Sequence, residues 1–98
     1  MSWTHEDLSA IWAKASPISG NDPNEWRKDA CGAWIGWMFH GNRESQYGWE
    51  VDHITAIENG GSNALSNLRP LHWKNNATKQ DGGLTCPVRA SGSGNSGI

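Results

Sequence analysis

The fold is decided by residues 49–79, which read WEVDHITAIENGGSNALSNLRPLHWKNNATK. Aromatic and β-branched residues predict one strand over residues 47–54 and a second strand over residues 67–71. A pair of glycines lies between them and permits a tight loop. Residues 73–80 suit a helix, and the glycines that follow would stop it. This stretch therefore predicts the order strand, loop, strand and helix.

The residues before this stretch predict a hairpin and an N-terminal helix. Residues 33–39 have the composition of a strand, and a polar turn at residues 41–45 would pair them with residues 47–54. Thr4 is a suitable N-cap, and Asp7 is a suitable capping-box partner. The apolar stripe of the helix would comprise Leu8, Ile11, Trp12 and Ala15, before Ser16-Pro17 ends it. The predicted fold class is a small α+β domain.

Length and charge limit the classes of protein. The 98 residues suffice for one domain, predicted over residues 1–83 with its motif core at 47–81, followed by a flexible tail over 84–98. The net charge of −2 is unevenly distributed along the chain, because residues 59–98 hold four basic residues and only one acidic residue. The net charge gives no overall attraction to a polyanion, but if a polyanion is the partner, it should meet that half. The longest apolar run is about half of the ~20 residues that a membrane helix needs, so no membrane partner is expected.

The two cysteines, Cys31 and Cys86, lie 55 positions apart and form no C-x-x-C pair. They suffice neither for a disulfide framework nor for an all-thiolate zinc finger. Cys31 lies within an apolar run, which is typical of a small buried hydrophobic residue. Cysteine usage therefore favours a cytoplasmic chain.

Several polar residues within the predicted motif core, residues 47–81, could hold a metal ion. Asp52 and His53 are neighbours on a predicted strand, so their side chains would face opposite sides and take different roles. His72 and Asn76 are four residues apart and Lys79 is three further, which would place them along one helix face. Oxygens from Asp52 and Asn76 suit Mg²⁺. His72 as a further ligand would shift the preference toward Mn²⁺, Ni²⁺ or Zn²⁺.

The order and spacing of these motifs resemble the HNH endonuclease family. The matching motifs are WEVDHI at 49–54, the glycines at 60–61, NLRPLH at 67–72 and Asn76-x-x-Lys79. The preceding RKDACG at 27–32 and YGWE at 47–50 are similar to a compact bacterial subgroup, which suggests the cytoplasm of a bacterial or phage-infected cell. The resemblance implies a ββα-metal motif, or His-Me finger, in which two antiparallel strands and a helix hold one divalent ion at a nucleic-acid phosphate.

The resemblance also implies a role for each matching residue. His53 takes the place of the general base, and Asp52 and Asn76 take the places of the metal ligands. Asn67 takes the place of the middle Asn, which braces the loop between the strands and holds the base in position. The implied reaction is metal-dependent hydrolysis of phosphodiester bonds, with Mg²⁺ or Mn²⁺ as the expected ion and Ni²⁺ or Zn²⁺ as further candidates.

The sequence departs from the family pattern in two ways. Ala56 replaces a frequent proline, which affects only the local loop. Many relatives carry a structural zinc on two C-x-x-C pairs, but the second pair falls here at His72 and Asn75, so no structural zinc is expected. Three roles stay open for His72: a vestigial position, a third ligand of the catalytic metal, or a phosphate contact.

Basic residues around the last helix indicate how nucleic acid could bind. The candidates for phosphate contacts are Arg69, Lys74 and Lys79. DNA is the favoured nucleic acid, and strong sequence specificity would require a homodimer or a protein partner, because specific DNA interfaces bury more than ~1,000 Å². Two alternatives stay open: a noncatalytic, metal-stabilised nucleic-acid-binding module, and a toxin-type nuclease.

Overall fold

The N-terminal helix, α1, spans His5–Trp12 in the computed structural model, which describes residues 2–79 and 83–98. Oγ1 of Thr4 accepts a hydrogen bond from the backbone N–H of Asp7 at 3.0 Å. The Asp7 carboxylate accepts one in return from the backbone N–H of Thr4 at 3.1 Å. This pair is the capping box that the sequence predicts.

The helix ends at Trp12 instead of continuing to Ser16. Ser16–Pro17 form a short strand, β1, which pairs antiparallel with β2, Trp26–Lys28. Pro17 disfavours the helical conformation for the residue that precedes it, so Ser16 is extended and available for strand pairing. A third strand, β3, covers Trp34–Gly36 and completes this sheet in the order β1–β2–β3.

The pairing predicted between residues 33–39 and 47–54 is wrong. β3 pairs with β2, and Trp37–Phe39 form a 3₁₀ turn instead of extending the strand. The strand β4, Trp49–His53, pairs with a later segment. Aromatic and β-branched composition identifies strands correctly here, but it does not specify which strand is the partner.

The strand β4 and the next strand, β5, form an antiparallel pair that leads into a second helix. β5 spans Leu68–His72, and α2 follows without a break over Trp73–Ala77. The register places Asp52 directly opposite Arg69. The predicted helical residue Gln80 and the predicted stop at residues 81 and 82 lie outside the described residues.

The hydrophobic core forms where α1 packs against β4 and β5. Trp12 of α1 meets Trp49 of β4, with ring centroids 5.3 Å apart, and Leu68 of β5 belongs to the same buried cluster. Trp49 is completely buried. Because this cluster holds both strands, it fixes the end of β4 at Asp52 and His53.

A disulfide joins Cys31 to Cys86. Cys31 is buried, as the apolar run around it predicts, but the sequence did not reveal that it is bonded to Cys86. Sequence spacing could not reveal this pair, because the C-terminal segment returns to the body of the domain only in the folded chain. The disulfide also removes the cysteine argument for a cytoplasmic location, since disulfides persist mainly in oxidising compartments.

The C-terminal segment, predicted as a flexible tail, contains a two-stranded hairpin. Its strands are β6, Arg89–Ser91, and β7, Gly94–Ser96. The side chain of Asn95 receives a hydrogen bond from the backbone N–H of Trp34 at 2.7 Å and donates to the carbonyl of Gln46 at 2.8 Å. These contacts attach the hairpin to the body of the domain. The domain boundary at residue 83 itself stays a prediction.

The helices of the described ranges, 2–79 and 83–98, are short. α1 has 8 residues and α2 has 5. None of the helices in these ranges is long and apolar enough to cross a membrane.

Candidate active site

A cleft of about 450 Å³ lies at the end of β4. Its lining includes Asp52 and His53 from β4, Asn76 from α2 and Lys79 just beyond α2. The antiparallel β4–β5 pair brings these residues together, because β5 returns the chain so that α2 packs beside β4. The structure therefore gathers four of the residues that the sequence singles out.

Asp52 is almost completely buried, with 3% of its surface exposed. Nε of Arg69 donates to its Oδ2 at 2.7 Å, and Nζ of Lys79 donates to its Oδ1 at 2.9 Å. A buried carboxylate requires such partners, because an unpaired charge would be costly in a low-dielectric environment. Two residues predicted to contact phosphate thus neutralise Asp52 in this structure.

His53 is held by a contact that the sequence analysis missed. Oδ1 of Asn63 lies 2.7 Å from Nε2 of His53. An amide oxygen can only accept, so Nε2 carries the proton and Nδ1 is left as the acceptor. The ring also lies near Trp3, with centroids 6.3 Å apart, whereas Asp52 contacts the basic side chains. The two neighbours therefore have different environments, as the alternation of strand side chains predicts.

Asn67 closes the loop that joins β4 to β5. Its Oδ1 accepts from the backbone N–H of Thr55 at 2.8 Å, and its Nδ2 donates to the carbonyls of Thr55 at 3.0 Å and Ser62 at 2.8 Å. Both ends of the amide are used, so the loop that carries Asn63 is tied to β5. Asn67 thus stabilises the loop, and it influences His53 only through that loop.

Asn76 lines the cleft and is hydrogen-bonded to Glu50, which lies outside the cleft lining. Nδ2 of Asn76 donates to Oε1 of Glu50 at 2.9 Å. Arg43 holds the same carboxylate with two hydrogen bonds, at 2.6 Å and 2.9 Å. Partial burial alone would raise the pKa of Glu50, but the hydrogen bonds from Arg43 and Asn76, together with the charges of Arg43 and His40, outweigh burial and hold this pKa below its ordinary value. Glu50 was missed in the sequence, although it lies two residues before Asp52 and so shares its face of β4.

His72 lies away from the cleft lining and is completely buried. Its Nδ1 accepts from the backbone N–H of Lys74 at 3.1 Å and caps α2, and its Nε2 lies 2.8 Å from the carbonyl of Gln46. Burial lowers the pKa of His72 and favours the neutral ring. Because both ring nitrogens are engaged, these contacts do not favour His72 as a metal ligand or a phosphate contact.

A buried polar network surrounds His72 and Asn75, the positions at which the resemblance raised the question of a structural zinc. Asp29, which the sequence analysis did not single out, accepts from the backbone N–H of His72 at 2.9 Å and from Nδ2 of Asn75 at 3.1 Å. Asn75 also exchanges hydrogen bonds with the backbone of Val88 at 2.8 and 2.9 Å. The Cys31–Cys86 disulfide is nearby in sequence, since Cys31 lies two residues after Asp29 and Cys86 two residues before Val88. Hydrogen bonds with Asp29 and Val88 thus hold the junction of β5 and α2.

Two side chains in the cleft, those of Asp52 and Asn76, carry oxygen atoms that could bind a hard divalent ion. Residues 2–79 and 83–98 contain no group of three or more His, Cys, Asp or Glu side chains placed to hold a metal. Asp52 and Asn76 nevertheless line one cleft, and Oδ1 of Asn76 accepts no hydrogen bond from the described part of the chain. One carboxylate and one amide oxygen fit Mg²⁺, which keeps water or phosphate in its other positions. Such an ion would share Asp52 with Arg69 and Lys79, or displace one of them.

Residues 36–82 match the family model for HNH endonuclease. The match includes the cleft residues Asp52, His53 and Asn76. No curated protein and no solved structure matched the chain. An HNH domain indicates a nuclease-type function on nucleic acid, and HNH nucleases generally use a divalent metal.

Proposed function

We propose that the chain is an endonuclease that hydrolyses phosphodiester bonds of nucleic acid, with DNA as the favoured substrate and with a divalent metal ion. One observation carries this proposal: Asp52, His53 and Asn76 line a single cleft within residues that match the HNH family. Each residue type has a use in this reaction. A base must take a proton from the attacking water, and oxygen ligands must hold positive charge near the phosphate.

His53 is the proposed general base. Since Nε2 donates to Asn63, the free acceptor is Nδ1, and this atom would take the proton from water. A positioned base commonly contributes about 10²- to 10⁴-fold to the rate. Asn67 supports this geometry by tying down the loop that contains Asn63. In this proposal Asn67 acts on the position of the base and not on the substrate.

Asp52 and Asn76 are the proposed metal ligands. The proposed ion is Mg²⁺ or Mn²⁺, with Ni²⁺ or Zn²⁺ as alternatives, and no structural zinc is part of the proposal. When bound, the ion would supply positive charge to a phosphate oxygen and to the leaving oxygen. His72 is not included as a ligand, because both of its ring nitrogens are engaged elsewhere.

The basic residues have different proposed roles. Lys79 and Arg69 neutralise Asp52, so either one would contact phosphate only after its ion pair opens. Lys74 on α2 is the remaining candidate for a direct phosphate contact. A second copy of the chain or a protein partner would be needed for strong sequence specificity.

A noncatalytic nucleic-acid-binding module is the second candidate function. One observation favours it: both carboxylate oxygens of Asp52 already have cationic partners, so Asp52 is compensated without a metal ion. A module of this kind has no use for the ordered ring of His53. The nuclease therefore explains more of the site.

The test is an assay of supercoiled, linear and single-stranded DNA and of RNA with Mg²⁺ and Mn²⁺. Cleavage should require the ion and stop in EDTA. His53→Ala should slow the chemical step by about 10²-fold or more while nucleic-acid affinity is retained. Undiminished cleavage by metal-free protein in excess EDTA, or wild-type rates in His53→Ala, would contradict the proposal.

A further inference from the structure

We propose that Glu50 is a positioning residue that fixes which end of the Asn76 amide faces the cleft. This inference rests on the proposed function, because it concerns how the chain presents a ligand to the ion. Nδ2 of Asn76 donates to Oε1 of Glu50 at 2.9 Å, and Asn76 lines the cleft. Glu50 itself is absent from that lining.

The two ends of the Asn76 amide differ chemically. The oxygen can bind a cation, whereas the NH₂ group can only donate hydrogen bonds and would repel a cation. A carboxylate can only accept, so Glu50 selects the NH₂ end of the amide. The selected orientation leaves Oδ1 of Asn76 for the ion. A rotation of the amide by half a turn would place an oxygen against the Glu50 carboxylate, which is unfavourable.

The position of Glu50 is itself fixed. Arg43 binds both of its carboxylate oxygens, at 2.6 Å and 2.9 Å, so the acceptor has a defined orientation. Glu50 and Asp52 lie two residues apart on β4, and α2 packs against this strand. One strand thus carries both a proposed ligand, Asp52, and the residue that orients the other ligand, Asn76.

This arrangement explains why position 76 holds Asn rather than Asp. Aspartate is ordinarily the stronger ligand for a hard cation because it is charged. At this position, however, its carboxylate would lie against the Glu50 carboxylate, and two like charges at such a distance repel. A histidine could replace Asn76, because one ring nitrogen can donate to Glu50 while the other binds the ion. The inference therefore predicts that His at position 76 binds the ion more tightly than Asp does, whereas ligand charge alone would favour Asp.

The test measures Mn²⁺ binding to the full chain by calorimetry and by the electron paramagnetic resonance of free Mn²⁺. Glu50→Ala should weaken Mn²⁺ binding about 10- to 100-fold, the usual effect of removing a residue that orients a ligand. Glu50→Gln retains one acceptor oxygen, which Nη2 of Arg43 should keep at the position of Oε1 beside Asn76, so this variant should restore most of the loss. Arg43→Ala is the graded companion variant: it removes the ion pair that orients Glu50 but leaves the acceptor of Asn76 in place, so it should weaken Mn²⁺ binding less than Glu50→Ala does. Thermal unfolding of each variant would verify that it is folded.

The second arm exchanges the ligand itself. Asn76→Asp should bind Mn²⁺ more weakly than Asn76→His, and adding Glu50→Gln to Asn76→Asp should restore binding. If Asn76→Asp alone binds Mn²⁺ more tightly than the wild type, Glu50 does not control the ligand and the inference is wrong. Equal losses for Glu50→Gln and Glu50→Ala would also overturn it, since they would show that the charge of Glu50 matters and not its acceptor.

The outcomes separate this inference from the proposed function. If the wild type binds Mn²⁺ through Asn76 but cuts no nucleic acid, the nuclease proposal fails, and the Glu50 series still tests the inference. If Asn76→Ala leaves Mn²⁺ binding unchanged, position 76 is not a ligand and the inference is overturned, while cleavage by the wild type can still support a nuclease.

Discussion

Asn63 fixes the proton on the ring of His53, because its amide oxygen lies 2.7 Å from Nε2. The two residues are ten positions apart and lie on opposite sides of the glycine pair in the loop between β4 and β5. The loop therefore does more than connect two strands. It brings an acceptor to one ring nitrogen, which makes the other, Nδ1, the nitrogen that can accept a proton.

Asn63→Ala should slow the chemical step about 10- to 100-fold, because the ring of His53 would lose its fixed orientation. Affinity for nucleic acid should change little. Single-turnover cleavage and equilibrium binding would separate the two effects. Asn59→Ala is a suitable control, since Asn59 lines the same cleft but its side chain is not the partner of His53. Equal rates for Asn63→Ala and the control would remove Asn63 from the mechanism.

The Cys31–Cys86 disulfide should contribute strongly to stability. Its two cysteines are 55 positions apart, and closing a loop of this length corresponds to about 4 kcal/mol in the chain-entropy description. Replacing both cysteines by Ala should therefore lower the free energy of unfolding by about 2–4 kcal/mol, as measured by urea denaturation. Reductant should destabilise the wild type by a similar amount and leave the double variant unaffected. A wild type that is equally stable with and without reductant would show that the bond makes no contribution.

The sequence predicted local structure better than strand pairing. The capping box of Thr4 and Asp7 depends on residues three apart, so it could be identified before the structure. The partner of β3 could not, because composition favours a strand without selecting between β2 and β4. The contact of Asn95 with Trp34 was missed for a related reason: a segment rich in Ser, Gly and Asn resembles a mobile tail, and its hydrogen bonds form only with distant backbone.

Low pH should destabilise the domain through His72. Burial lowers the pKa of His72 below its ordinary value of 6.5, and the opposing contact with Gln46 does not offset this effect. Below pH 6.5 the unfolded chain therefore binds a proton that the folded chain resists, so stability falls as the pH decreases and levels off below the folded pKa. Protonation would also remove the acceptor that caps α2.

Urea unfolding at pH 7.5 and pH 5.0 would measure this effect. The loss of stability between these pH values should be smaller in His72→Asn than in the wild type. Asn is the substitution of choice because its side chain can also cap a helix. His5→Gln, at an exposed position, is the control and should keep the full pH dependence. If His72→Asn shows the same loss as the wild type, His72 does not titrate as described.

Within the site, the sequence identified residues that match a motif and missed those that orient them. Asp52 and Asn76 were selected by type and spacing, and the structure places both at one cleft. Glu50 and Asn63 carry no motif, and their importance follows from contacts that the folded chain creates. Their positions still offered a signal. Glu50 shares a strand face with Asp52, and Asn63 lies in the glycine-containing loop that follows His53.

Asp52→Asn separates catalysis from docking, because Asp52 restrains two cations. The substitution preserves the shape of the side chain but removes the charge that holds Arg69 and Lys79. A nuclease should lose turnover, since its metal ligand is weakened, while its affinity for DNA should stay equal or rise. The slope of log K against log salt should steepen by up to about 0.9 for each cation that becomes free to bind duplex phosphate.

Glu58→Gln is the matched control, because it removes one carboxylate from the same cleft without opening either ion pair. If Asp52→Asn instead loses binding, and the wild type cuts no nucleic acid with any divalent ion, the domain is a metal-dependent docking module and the nuclease assignment is wrong.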